Sequence, residues 1–425
     1  MLESADLVFL IVSFEGPDEY AQAGGLGVRV RELSRALAER GLTTHLFFVG
    51  DPELPGEEAI LDGRLTLHRW AQWVSRYHPL GVYQGEEDKR AEVERSLPDA
   101  LIDRWIRPAL EQGRRVVVLA EEWQMARTLI LLGDRLQFAG LRQRCLLLWN
   151  ANNHFGFERI DWTALARHAT LMTVSRYMKH IMWRWGVNPI VVPNGIPASV
   201  IGTVNPAHVR AIRAAAGASA LLFKIGRFSP DKRWHQAVGA VADLKRRGVA
   251  ARLLMRGGIE PFGGEVLEAA ARQGLRVAPL RKRLVDVQDL TRALRKEAEA
   301  DVWNVTAFLP DDLLPPIYAA ATATLANSGH EPFGLVGLEA MAAGGVAFVG
   351  ATGEDYAEPF RNAIVLETDD PAEISAYVQQ LRAHPEATRN LRIAAQRTAR
   401  EYTWQRVIDL LLRRLEFVAL TQGWQ

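Results

Sequence analysis

The chain has 425 residues, of which 48% are hydrophobic and 24% charged, and Lys+Arg 51 against Asp+Glu 50 leaves a formal net charge of +1. That length exceeds what one hydrophobic core usually serves, so two domains of roughly 200 residues are expected. The balanced charge argues against a nucleic-acid partner, which needs a basic face, and the single cysteine, Cys145, excludes an internal disulfide and a thiolate zinc cluster.

The first element is predicted at Leu7–Val12, a continuous apolar run of strand length preceded by the acids Glu3 and Asp6. Without a basic segment ahead of it, this run reads as a strand and not as a signal peptide. Residues Val28–Arg40 have helical periodicity, Gly41 stops them, and Thr44–Val49 is the next strand. Strand, helix and strand make a βαβ unit with a parallel sheet. Helix is expected over Ala91–Glu111, broken near Pro98, and residues 64–110 read as an aromatic and charged interruption of the first domain. Further strands are predicted at Arg115–Ala120, Arg144–Leu148, Leu171–Val174 and Pro189–Val192.

After the turn Val192-Pro-Asn-Gly-Ile-Pro197 the pattern restarts with a helix at His208–Ala216. Strands at Ala220–Ile225, Ala251–Arg256 and Asp301–Thr306 alternate with helices at Trp234–Arg247 and Gly264–Gln273. Short helices are expected from Leu313 and at Thr322–Leu325, then a strand at Val346–Val349 and a last helix at Arg397–Phe417. The result is two α/β domains with a cleft between them, residues 1–198 and 199–396, and a helical segment 397–425. No apolar run approaches the length of a membrane span, so a cytoplasmic protein is expected.

The strongest chemical signal is Glu331-Pro-Phe-Gly-Leu-Val-Gly-Leu-Glu339. Pro332 disfavours helix at Glu331, so a helix starts near Gly334 or Leu335 with open N–H groups that can hold an anion. Glu331 and Glu339 then accept hydrogen bonds from ligand hydroxyls. Arg227 and Lys232 follow a predicted strand and can neutralise a leaving diphosphate, while Arg233 competes for that role or faces water. Asn150, Asn152, Asn153 and His154 offer donors and acceptors to sugar hydroxyls after another strand. His330 is expected to orient the Glu331 loop. Gly24-Gly-Leu-Gly27 resembles part of a dinucleotide fingerprint, but the third glycine is replaced by Val30.

Taken together these segments resemble a retaining glycosyltransferase of family 4 with the GT-B fold, two Rossmann-like domains facing across a cleft. The resemblance spans nearly the whole chain and rests on Gly24-Gly-Leu-Gly27, Ser175-Arg-Tyr, Pro193-Asn-Gly-Ile196, Gly226-Arg227 with Lys232, and Glu331 through Glu339. It implies that Glu331 contacts the donor sugar, that Glu339 holds the ribose, and that Arg227 and Lys232 bind the diphosphate. Gly25, Leu26, Gly27, Phe333, Gly334, Leu335 and Val336 complete the implied donor site. The implied reaction moves a hexose from a nucleotide diphosphate sugar to an acceptor hydroxyl by front-face transfer, with no essential metal. The acceptor is expected to be a soluble sugar or small metabolite, met by Asn150, Asn152, Trp73 and Tyr77. Many members place a histidine directly after a first-domain strand, whereas here the strand ends at Asn150 and the catalytic candidate His154 comes later, so His154, Asn150 and Asn152 are all candidates for that place. That departure leaves a non-catalytic sugar-nucleotide-binding protein as one alternative. An oxidoreductase using Gly25, Gly27 and Asp51 is another.

Overall fold

The computed structural model describes residues 6–422 and Trp424, so Glu3 lies outside the described residues. The chain divides into two compact units, one running to Gly195 and resuming at Trp404, the other Ile196–Thr403. The unit boundaries therefore fall at 195/196 and 403/404 instead of at 198 and 397.

The first unit is built on a sheet of β1 (Leu7–Val12), β2 (Thr43–Val49), β3 (Glu57–Ile60), β4 (Leu65–Trp70), β5 (Arg115–Glu121), β6 (Cys145–Ala151), β7 (Thr170–Thr173) and β8 (Ile190–Val191). Their order is β3-β4-β2-β1-β5-β6-β7-β8. Only β3 runs antiparallel, against β4, among the described strands. Every residue of β1 is buried, as an apolar run covered on both faces must be.

Two expectations for this unit change. Residues 64–70 are no interruption: Leu65–Trp70 joins the main sheet beside β2, with Phe47 opposite His68. Pro98 does not break its helix either. Glu86–Leu101 continues through a π-type turn at Ile102–Ile106 into Arg107–Glu111. A proline inside a helix removes one hydrogen bond, and here the chain absorbs that loss without stopping.

The second unit carries β9 (Ala220–Ile225), β10 (Ala251–Arg256), β11 (Val277–Leu280), β12 (Val302–Val305), β13 (Ala323–Ala326), β14 (Ala347–Val349) and β15 (Ile364–Val365). All are parallel, in the order β11-β12-β10-β9-β13-β14-β15. The segment read as a helix at Thr322–Leu325 is β13, seated between β9 and β14. Alanine favours helix in isolation, but tertiary pairing overrides that preference. Helices Trp234–Arg246 and Pro371–Ala383 cover this sheet with Val238, Val241 and Val378 in one core cluster.

The expected last helix is two, Pro385–Arg400 and Trp404–Thr421, and the second packs in the first unit beside Phe9 and Leu33. The segments that carry the second unit's candidate chemistry leave the carboxyl ends of β9, β13 and β14, where ligands bind in parallel α/β sheets.

Candidate active site

In the second unit, β9 ends at Ile225 and the chain turns through Gly226–Arg233 into the helix Trp234–Arg246. Arg233 adopts a left-handed conformation, φ 53°, which is uncommon outside glycine and is held here by structure around it. Its guanidinium pairs with Asp369 at 2.9 Å, so it is spoken for. Lys232 Nζ lies 2.7 Å from Glu331 Oε2, and Arg227 is exposed. The turn therefore presents two cations, one already gripping the motif glutamate.

Glu331 leaves β13 through the buried Asn327 and Ser328. The helix begins at Leu335, and Gly334 caps it at φ 75° with no side-chain cap hydrogen bond. The first-turn N–H groups at Leu335 and Val336 are thus open to an anion. A side chain at Gly334 would meet Glu354 Cγ at 2.7 Å, so glycine is required both by conformation and by space. Phe333 is buried, its ring against Tyr356 at 5.8 Å and Tyr402 at 6.1 Å. It shapes the turn from inside. His330 is exposed beside Glu331.

Glu339 is partly buried and accepts from Tyr318 Oη at 3.0 Å. Burial pushes its carboxyl up to about 7, opposed by the Tyr318 hydrogen bond and reinforced by Asp311.

Two residues of this unit carry no motif signal. Lys224 is buried inside β9 and donates to Leu325 O at 2.9 Å and Asn327 Oδ1 at 2.7 Å. Burial, then Lys232 and Arg233, bring its ammonium down to about 7. A lone charge within Ala-Leu-Leu-Phe-Lys-Ile was the available clue. The other is Glu354, buried after β14, for which no local pattern exists.

The first unit corrects several expectations. Glu15 Oε2 accepts from the backbone N–H of Ala23 at 3.2 Å, Gly24 at 3.0 Å and Gly27 at 3.0 Å. An internal carboxylate therefore occupies the Gly27 amide expected to meet the donor, while Gly25 stays exposed and Leu26 half-buried. Tyr83 Oη donates to the other Glu15 oxygen at 2.6 Å. At Gly27 a side chain would collide with Gly16 O at 2.8 Å, so close packing also explains that glycine.

Asn150 is not in a loop but inside β6, fully buried. Its amide and that of Asn152 both donate to Glu121 Oε2, at 2.9 and 2.8 Å, and Arg29 pairs with the same carboxylate at 3.2 Å. Asn152 N–H donates to Glu122 Oε1 at 2.6 Å. The donors expected to meet sugar hydroxyls are thus spent on two adjacent glutamates, while Asn150 Oδ1 and Asn152 Oδ1 are buried without a protein partner. Burial pushes Glu122 up to about 8, with Glu121 adding to the rise. His154 is exposed and stacks on Phe155, ring centroids 5.4 Å apart. No hydrogen bond among the described residues joins it to the Glu121 group.

Trp73 and Tyr77 are exposed, 56% and 76%, after β4. Asp51, the ribose candidate of the oxidoreductase reading, accepts from Glu53 N–H at 2.9 Å in its own turn. Among the described residues no group of three or more His, Cys, Asp or Glu side chains is placed to hold a metal ion. No helix among them is long and apolar enough to cross a membrane.

Residues 208–398 match the family model described as glycosyl transferases group 1. A D-inositol 3-phosphate glycosyltransferase of Geodermatophilus obscurus is 31% identical over 208 residues, 44% of each chain. A GDP-mannose-dependent alpha-(1-6)-phosphatidylinositol dimannoside mannosyltransferase of Mycobacterium tuberculosis is 27% identical over 262 residues, 60% of each. The chain thus spans about half the length of the curated relatives it matches. Among solved structures, the sucrose-phosphate synthase of Thermosynechococcus elongatus superposes with TM-score 0.68 at 19% identity, covering 97% of this chain and 99% of that one. HepE of Anabaena in complex with UDP gives TM-score 0.63 at 14% identity, covering 96% and 99%. Residues 208–398 are accordingly similar to the group 1 glycosyl transferases, and the two α/β units of the chain have the GT-B fold.

Proposed function

We propose that this chain transfers a hexose from a nucleotide diphosphate sugar to an acceptor hydroxyl, with retention of anomeric configuration. The second unit binds the donor and the first the acceptor. The observation that carries this reading is the meeting, in one unit, of Lys232 with Glu331 at the head of an uncapped helix. Cations and open amides suit a diphosphate, and a carboxylate suits sugar hydroxyls. Arg227 and Lys232 neutralise the leaving phosphate, Glu331 holds the sugar and Glu339 the ribose.

In the proposed front-face course the bond from the anomeric carbon to the phosphate oxygen breaks as the acceptor oxygen attacks from the same side. The acceptor proton passes to the departing phosphate oxygen. No side-chain nucleophile is assigned. The acceptor is a soluble sugar or small metabolite, with Trp73 and Tyr77 as affinity determinants.

The test is release of nucleoside diphosphate from a donor panel that includes GDP-mannose, named in the mycobacterial relative, and UDP-glucose, held by HepE in another of its crystal structures. Proton NMR of the product reads the anomeric configuration. An inverted product, or a sugar trapped covalently on a carboxylate, overturns the mechanism.

A second reading, a sugar-nucleotide-binding protein without turnover, is favoured by one observation. No histidine directly follows β6, where the family this chain resembles often places one, and the Asn150 amide there is committed to Glu121. Tight donor binding with no product across a broad acceptor panel would establish it.

A further inference from the structure

The turn that carries Glu331 is held from behind by a residue outside every motif. Thr352 Oγ1 accepts from Glu331 N–H at 3.2 Å and donates to Glu354 Oε2 at 3.1 Å. Thr352 N–H donates to the same oxygen at 3.2 Å. Gly353 N–H donates to Glu331 O at 2.8 Å, so both peptide groups of Glu331 are fixed by the segment 352–354. Tyr356, two residues on, donates to Gly334 O.

Glu354 itself is only 6% exposed, and its second oxygen, Oε1, is buried with no partner. That oxygen lies against Gly334, 3.2 Å from where a Cβ would stand. A buried carboxylate charge with no donor on one of its oxygens is costly, and a proton removes that charge. The charged and titratable groups around it agree. Glu331 is the facing charge, itself gripped by Lys232. Tyr356 and Tyr402 pack behind the turn, and Glu339 sits in the helix beyond. No cation is paired with Glu354 among the described residues.

We propose that Glu354 is a positioning residue of the donor site: through Thr352 it sets the backbone of Glu331, and as a neutral acid it floors the Gly334 turn where the diphosphate binds. The inference rests on the donor site being in the second unit as proposed above. Burial, with the Glu331 charge adding, pushes the Glu354 carboxyl up to about 8. Ionising it places a negative charge beneath an anion site, so alkaline pH weakens donor binding through this group.

The experiment is calorimetric titration of the full chain with UDP and with GDP from pH 7.5 to 9.5. The window lies above the second phosphate ionisation, near about 6, and the base N–H of UDP or GDP, which ionises toward its upper end, changes alike for wild type and variant. Reciprocity makes each pKa unit by which the bound diphosphate raises Glu354 appear as a tenfold fall in affinity. The wild type should weaken about tenfold across the window. Glu354→Gln, whose amide keeps the shape and cannot ionise, should show a clearly shallower fall than the wild type. A flat wild-type profile, or a Glu354→Gln slope equal to that of the wild type, overturns the proposal. Binding of neither nucleotide at any pH removes the donor-site reading first, and this inference with it. Should Glu354→Gln not fold, carbon-13 NMR titration of the wild-type carboxyl decides: a midpoint near 8 supports the proposal, and an ordinary one near about 4.3 refutes it.

Discussion

Lys232 Nζ and Glu331 Oε2 stand 2.7 Å apart. The group proposed to neutralise the diphosphate and the group proposed to hold the sugar are therefore pre-positioned by each other. Both are about one-fifth exposed, 20% and 23%, so the pair adds little to stability. Its value lies in geometry, because the carboxylate and the ammonium reach the reacting bond already oriented.

Lys232→Ala and Arg227→Ala should each lower turnover by about 10²–10³, the cost of losing one donor aimed at developing charge. Their melting temperatures should stay close to wild type, since neither head group is buried. Steady-state kinetics beside calorimetric melting tests this. Near-normal turnover in both variants removes them from the diphosphate site.

Glu339→Gln should mainly weaken nucleoside diphosphate binding, whereas Glu331→Gln should mainly slow turnover. The ribose is remote from the bond that breaks, and interactions shared by ground and transition states change affinity without changing the chemical step. Competition with free UDP or GDP against kcat separates the two. The reverse pattern would exchange the roles.

Lys224→Met should change the pH dependence of stability. The Lys224 ammonium falls to about 7 in the fold, from about 10.4 in an unfolded chain. Between those values the unfolded state holds the extra proton, so this group's contribution to stability rises with pH and is lost as pH falls toward 7. The melting temperature of the wild type minus that of the variant should climb from pH 7 to pH 10. A constant difference would mean that Lys224 is fully charged in the fold.

Glu122→Gln should show the opposite sign. Its carboxyl is raised from 4.5 to about 8, so its contribution is fully present below the unfolded value and is lost as pH rises through 8. The wild type should lose stability relative to the variant between pH 5 and pH 8.5. Parallel melting curves across that range would place Glu122 among ordinary ionised carboxylates.

Periodicity and turn chemistry made much of this molecule legible in advance. The runs Ala220–Ile225 and Ala251–Arg256 are apolar, bounded and buried, and they fold as β9 and β10 with the expected ends. Pro332 and Gly334 located the start of the motif helix at Leu335. Legibility failed where context overrides local pattern. In β11, Pro279 argues against a strand, yet an edge strand tolerates it. In β4, His68 and Arg69 disguise a strand, and they meet the tertiary partners His45 and Asp18. Glu15, Glu121 and Glu354 escaped notice for another reason. Their partners are backbone amides and side chains brought close by folding, such as Arg29 with Glu121, and no spacing records that proximity.

The return of Trp404–Thr421 to the first unit gives the chain an order of assembly. Ile408, Leu411, Leu415 and Val418 lie in the same core cluster as Phe9, Leu33 and Leu46. During synthesis the second unit, contiguous from Ile196 to Thr403, emerges whole while the first still lacks a wall of its core. The half begun earliest on the ribosome is thus completed last, and until then it carries an open apolar face of the kind that chaperones bind.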